Sequence, residues 1–149
     1  MSSVYGNLAK MLKALATVGV LLMIIAADTV IVVVHARKHV RVINDLGNDV
    51  FLYLHCRSSD DDLGEHVLEY QQYQEWSFQN NLRGTTLFWC SLQWGYEEHY
   101  IEVYNYKKDN KYCGSYCWRS IRTDGAYFYI EPFQHWERRY SWYVKQLQV

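Results

Sequence analysis

The sequence predicts an all-β protein: a small antiparallel β-sandwich of about eight strands with two disulfides, preceded by a signal peptide. Three observations predict it. From His39 onward, short runs alternate apolar and polar residues with a period of two, broken by polar or glycine-bearing turns. All four cysteines, Cys56, Cys90, Cys113 and Cys117, fall in that alternating part. Ahead of it lies a basic segment followed by an uncharged apolar run, the pattern of a secretory signal.

The leader comes first. Lys10 and Lys13 supply the positive segment, and Leu15 to Ala27 carries no charge. That length suits a signal peptide and is short for a membrane span. Cleavage after Ala27 fits the small-residue rule, and cleavage after Ala36 fits it too, because a second apolar run, 29–36, follows Asp28. An uncleaved anchor over 15–34 is the competing reading. It places Asp28 inside the apolar stretch, at a cost of about 3 kcal/mol on insertion scales. The predicted division is therefore 1–36 as signal peptide and 37–149 as one domain.

The strands follow in order. His39–Ile43 alternates and ends at the turn cluster Asn44–Asp49. Val50–Cys56 is a continuous strand-type run, and Arg57–Gly64, with three consecutive aspartates, is a loop. Glu65–Tyr70 and Gln74–Phe78 are short strands, and Asn80–Gly84 is a turn. Thr85–Trp94 is the strongest strand signal and ends at Gly95. Glu97–Tyr106 follows, with Tyr100, Glu102, Tyr104 and Tyr106 expected on one face, read as an inner face of the sandwich, and Lys107–Asn110 is a polar turn. Tyr116–Arg122 and Ala126–Ile130 flank Asp124-Gly125, a hairpin signal. The tail from His135 is a last strand or a short helix.

The compartment decides the chemistry of the cysteines. An even number in a secreted domain of this size reads as two disulfides rather than a zinc site, because Cys56 and Cys90 have no close partner in sequence. Four cysteines allow three pairings. The strand assignments favour Cys90–Cys113 and Cys56–Cys117, since the hairpin partner of the Cys90 strand leads towards Cys113.

Charge excludes one class of partner. Loss of residues 1–36 removes Lys10, Lys13 and Asp28 and leaves a net charge of −2. A nucleic-acid binder would carry a basic excess or stripe. No stable membrane insertion is expected after cleavage, and the domain is expected to be a monomer. His39, His55, His66, His99 and His135 sit in no catalytic motif, so no catalytic residue, metal or cofactor is assigned. Asp60, Asp61 and Asp62 are adjacent rather than spaced as in a calcium loop. They read as a solvated turn in which Leu63 packs inward and Gly64 takes a special backbone angle.

Three segments together resemble the plant self-incompatibility protein S1 family, whose members are also called S-protein homologues. They are Val40–Leu46, Leu54–Gly64 (containing Cys56 and the Ser-Asp-Asp-Asp-Leu-Gly run), and Trp76-Ser-Phe78 followed by Thr86–Cys90. Cys113, Cys117-Trp118 and Gly125–Tyr129 fit the same pattern. The resemblance implies a small secreted plant protein with a β-sandwich, two disulfides and no catalytic residue to transfer. It also implies a signalling ligand for a cell-surface receptor, as in pollen rejection. The competing function is an extracellular protein that binds carbohydrate or a pathogen in defence. Loops at the ends of a sandwich are the expected recognition surface, here Asn44–Asp49, Arg57–Gly64, Gln79–Gly84 and Lys107–Asn110. The candidate recognition residues are Asp60, Asp61, Asp62, Asn80, Asn81, Lys107 and Lys108.

Overall fold

A computed structural model describes Asn7, Leu8, residues 10–15 and residues 37–142. Asn7, Leu8 and residues 10–15 are helical and belong to an N-terminal unit, Met1–Val34. The apolar run expected of a signal peptide, beyond Leu15, and both expected cleavage positions, Ala27 and Ala36, lie outside the described residues. No helix among the described residues is long and apolar enough to cross a membrane.

The second unit, His35–Val149, carries two sheets. Its strands are β1 (Lys38–Asp45), β2 (Leu52–Arg57), β3 (Asp62–Leu68), β4 (Tyr73–Phe78), β5 (Leu87–Trp94), β6 (Glu97–Asn105), β7 (Tyr116–Arg122), β8 (Gly125–Ile130) and β9 (His135–Ser141). A one-turn helix, α1 (Tyr106–Asp109), follows β6. One sheet has the order β4-β1-β7-β8-β9 and the other β3-β2-β5-β6. The all-β sandwich is as the alternation predicts. It has nine described strands rather than about eight, because the tail forms β9. One pairing, β1 with β7, is parallel, whereas the expectation was antiparallel throughout. β1 and β7 are far apart in sequence, so no tight hairpin constrains their direction.

Alternation becomes packing in β1. Lys38, Val40, Val42 and Asn44 are buried, and His39, Arg41, Ile43 and Asp45 face outward. Val40 and Val42 join Leu54, Phe88, Leu92, Val103, Ile121 and Phe128 in a core built from both sheets. Each large apolar side chain removed from water there contributes roughly 1.5–3 kcal/mol. Arg119 is buried in the same core, only 1% exposed. Its Nε donates to the Val103 carbonyl at 2.6 Å, Nη1 to the Trp118 carbonyl at 2.9 Å, and the guanidinium lies 4.0 Å from the Phe128 ring centre.

The structure corrects the disulfide pairing. The bonds are Cys56–Cys90 and Cys113–Cys117, not Cys90–Cys113 and Cys56–Cys117. β2 and β5 are antiparallel neighbours, and their register sets Cys56 directly opposite Cys90 with Cα atoms 4.0 Å apart. Helix α1 intervenes between β6 and Cys113, so Cys113 does not continue the β6 strand beside Cys90. It closes instead on Cys117 across the turn into β7, at a Cα separation of 5.0 Å. Lys38 stitches this turn to β1, with Nζ donating to the carbonyls of Cys113 and Gly114 at 2.6 Å each.

The tyrosine face also divides. A bulge in the β5–β6 pairing, between Phe88 and Trp89, pairs Phe88 with Tyr104 and Trp89 with Glu102. Val103 is the extra residue, so the inside–outside alternation slips by one. Tyr104 is therefore buried, while Tyr100 is 68% exposed and donates to Glu98 at 2.6 Å. Two loop boundaries move as well. Asp62–Gly64 already belongs to β3, and the expected polar turn at 107–110 is largely helix α1, capped by Asn105 Oδ1 accepting from Lys107 N at 3.1 Å.

Candidate functional site

β2, β4, β5 and β6 bring their ends together at one end of the sandwich, and two of the connections there enclose a cleft of about 270 Å³. One wall is the turn 58–61. Ser58 organises it: its backbone N–H donates to the Asp61 carbonyl at 2.8 Å, and its Oγ accepts from the N–H groups of Asp60 and Asp61 at 3.3 and 3.0 Å. The hydroxyl holds the turn, and the Asp60 and Asp61 carboxylates are left in solvent at the cleft mouth. Among the described residues neither carboxylate has a hydrogen-bond or ion-pair partner.

The opposite wall is the segment 79–86. Asn81 fixes its shape. Its N–H donates to Thr86 Oγ1, its Nδ2 donates to Thr85 Oγ1, and its Oδ1 accepts from Thr85 N, all at 2.8 Å. Gly84 closes the turn at φ 65°, where a Cβ would stand 2.6 Å from the Tyr106 ring. Only glycine meets both demands. The floor is apolar, formed by Phe78, Phe88 and Trp89, and the Phe78 ring packs tilted on Phe88 at 4.7 Å and edge-to-face on Tyr104 at 4.9 Å.

Beneath this wall Tyr104 donates to Asn80 Oδ1 at 2.7 Å, and Asn80 Nδ2 donates to Asn110 Oδ1 at 3.1 Å. Burial pushes the Tyr104 phenol up to about 12. Asp109, almost wholly buried, accepts from Asn105 N at 2.7 Å and from Arg139 at 2.8 Å, fixing α1 against β9.

The seven candidate residues therefore separate. Asp60, Asp61 and Asn81 line the cleft. Asn80 is turned to Tyr104 and Asn110. Asp62 lies on β3, where Oδ1 meets His55 Nε2 at 2.5 Å and accepts from Gly64 N at 2.9 Å. The His55 hydrogen bond holds its carboxyl below the usual carboxylate range. Gly64 has φ 76°, and Leu63 packs against the core. Lys107 and Lys108 stand on α1 outside the cleft, and Lys108 is tied to Glu102 at 2.7 Å. The other proposed loop, Asn44–Asp49, lies at the far end, beside the turn from β3 to β4. There the fully buried Asn44 donates through Nδ2 to the carbonyls of Val50 and Leu68 at 2.8 Å each.

The residue-type reading missed Thr85, Thr86 and Trp89 in the cleft, and it missed the buried Asp109. Trp89 was legible, since it alternates with Phe88 and Cys90 and so must face away from the core. The position of Asp109 depends on a tertiary contact with Arg139, 30 residues away, and no local pattern signals it.

Comparison with known proteins places this geometry among relatives. The family model for plant self-incompatibility protein S1 matches residues 39–142. S-protein homolog 2 of Arabidopsis thaliana is 32% identical over 111 residues, covering 72% of this chain and 69% of that protein. Self-incompatibility protein S1 of Papaver rhoeas is 34% identical over 101 residues, covering 66% of this chain and 72% of that protein. A solved structure of a self-incompatibility protein homologue superposes with a TM-score of 0.53 at 22% identity, covering 74% of this chain and 94% of the other, and so shares the fold. Its proteins are described as small, highly stable and secreted from plants.

Proposed function

The chain belongs to the plant self-incompatibility protein S1 family, a family of small secreted plant proteins, and from that premise we propose that it is a non-catalytic extracellular ligand that engages a cell-surface receptor through the cleft between residues 58–61 and 79–86. One observation carries the reading. Two connections distant in sequence are each rigidified by their own side-chain hydrogen bonds and converge on an apolar floor, while the Asp60 and Asp61 carboxylates stay unpaired at its mouth. A rigid frame with free polar groups loses little conformational entropy when a partner docks. Unpaired charge at the rim steers and selects a complementary surface.

Saturable binding of the purified secreted protein to plant cells tests the proposal. Asp60→Lys combined with Asp61→Lys is expected to abolish saturable binding and to leave folding stability within about 0.5 kcal/mol of wild type, because both side chains are exposed. Saturable binding that survives the double replacement would remove the cleft from recognition. Absence of saturable cell binding by the wild type would remove the receptor reading altogether.

A further inference from the structure

The outward face of the five-stranded sheet carries a feature that the cleft does not use. Ring follows ring across β1, β7, β8 and β9. His39 meets Tyr116 at 6.4 Å, Tyr116 meets Trp118 at 5.6 Å, Trp118 meets Tyr129 at 5.6 Å, and Tyr129 meets Trp136 at 5.4 Å. Trp118, Tyr129 and Trp136 lie in a single row perpendicular to the strands, and strand register continues that row into Arg41 and Glu75. Neighbouring strands about 4.8 Å apart set the ring interval. Guanidinium groups interleave the rings: Arg41 sits 4.0 Å from the Tyr73 ring centre and 5.1 Å from that of Trp118, and Arg122 sits 4.1 Å from that of Tyr127. The belt is partly open to solvent, with Tyr116 51% exposed.

Most charge on this face is held internally, and Arg37 at its edge is hydrogen-bonded to Ser77. Arg41 pairs with Glu75 at 2.6 Å and Arg138 with Asp124 at 2.8 Å. Arg122 donates to Ser120 Oγ at 2.9 Å and stands opposite Asp45 in register, and the Ser120 hydroxyl donates to Asp45. A charged partner finds little here to complement. What remains is a row of partly exposed aromatic rings, tilted by 29° between Trp118 and Tyr129 and by 56° between Tyr129 and Trp136, edged by hydrogen-bonding groups already held in place. Neutral sugar chains have the matching chemistry: apolar C–H faces that lie against aromatic rings, a rim of hydroxyls, and no charge. The advance of one pyranose along an extended chain is comparable to the ring interval.

We propose that this face binds an extended neutral glycan laid across the strands along Trp118, Tyr129 and Trp136, with Arg41 at the end of the row and Tyr116 at its side. The site is separate from the cleft, so each can fail without the other.

Retention of the full secreted protein on insoluble cellulose, together with calorimetric titration by cellohexaose, tests this. Trp136→Ala is expected to weaken binding about tenfold, the loss typical of removing one stacking ring. Tyr116→Ala, at a half-exposed position that cannot upset the core, is expected to weaken it as well. Tyr53→Ala, which removes an exposed ring from the other sheet, leaves binding unchanged. High salt also leaves it unchanged, because the glycan carries no charge. The proposal is overturned if the wild type neither is retained nor binds the hexasaccharide. It is equally overturned if binding survives both Trp136→Ala and Tyr116→Ala, if only acidic pectin is bound and salt releases it, or if the belt instead mediates a dimer that Trp136→Ala dissociates.

Discussion

Tyr104 donates a 2.7 Å hydrogen bond to Asn80 Oδ1, and through it the core grips one wall of the cleft. The bond depends on the bulge that turns Tyr104 inward. Tyr104→Phe keeps the ring contact with Phe78 and removes only the donor. It is expected to lower stability by about 1 kcal/mol, read from denaturant midpoints. Amide exchange in 79–86 should quicken more than exchange in β1, because the lost bond anchors that wall locally.

The same phenol predicts alkaline sensitivity. Its proton is held up to about 12 in the fold and leaves at about 10 in the unfolded chain. Between these values the unfolded chain binds fewer protons than the native one. The phenol's own contribution to stability therefore falls as pH rises through that window, by roughly 3 kcal/mol in all. Arg119, lowered to about 10 by burial, acts with the opposite sign over the same range. Tyr104→Phe separates the two, because Arg119 remains. The stability of the variant relative to wild type should rise across this window, as measured by chemical denaturation at stepped pH.

The two disulfides should contribute unequally. Cys56 and Cys90 are 34 positions apart, and Cys113 and Cys117 only 4. On the chain-entropy account, closing the longer loop stabilises by about 4 kcal/mol and the shorter by about 2 kcal/mol. Replacing Cys56 and Cys90 together by Ser should therefore depress the melting temperature more than replacing Cys113 and Cys117. Peptide mapping without reduction should recover a fragment joining the β2 and β5 segments.

Strand positions were legible because alternation is a local property. Val40 and Val42 point inward for the reason that His39 and Arg41 point outward, and a reader of the sequence sees both. Pairing partners were not legible, and the cysteines show why. Choosing between Cys90 and Cys117 as the mate of Cys56 requires knowing that β2 lies beside β5, which no local pattern encodes. The tyrosine face failed for a related reason: one bulged residue reverses every side chain beyond it. The cleft was half legible. Both turns were marked by their polar runs, but their convergence is a consequence of sheet order. The aromatic belt was spelled out in the alternation of Tyr116 and Trp118 and of Tyr127 and Tyr129, yet its continuity needs the register of four strands.

Asn44 shows a turn residue put to structural use. Its side chain bridges the Val50 and Leu68 carbonyls through Nδ2 and accepts from Leu46 N at 3.0 Å through Oδ1. Asn44→Asp preserves shape and replaces the donor with an acceptor facing two carbonyl oxygens. A buried carboxylate so placed should cost about 3 kcal/mol or more. Asn44→Ala should cost less, since it leaves the carbonyls unpaired without adding a charge. The reverse order, measured by thermal denaturation, would show that the site admits water.

Acid acts on the Asp62 carboxylate. His55 Nε2 and the Gly64 N–H both stabilise the Asp62 carboxylate, and the histidine bond holds it below the usual range. A carboxyl whose folded value is depressed binds fewer protons in the native state than in the unfolded chain. Its contribution is therefore complete above the ordinary carboxylate value near 4 and is lost as pH falls through the lowered one. Asp62→Asn retains an oxygen for Gly64 and cannot titrate. The variant should be less stable than wild type at neutral pH, and the difference should shrink as the solution is acidified. A gap that stays constant down to strongly acidic pH would assign the loss to packing at the start of β3 rather than to the carboxylate.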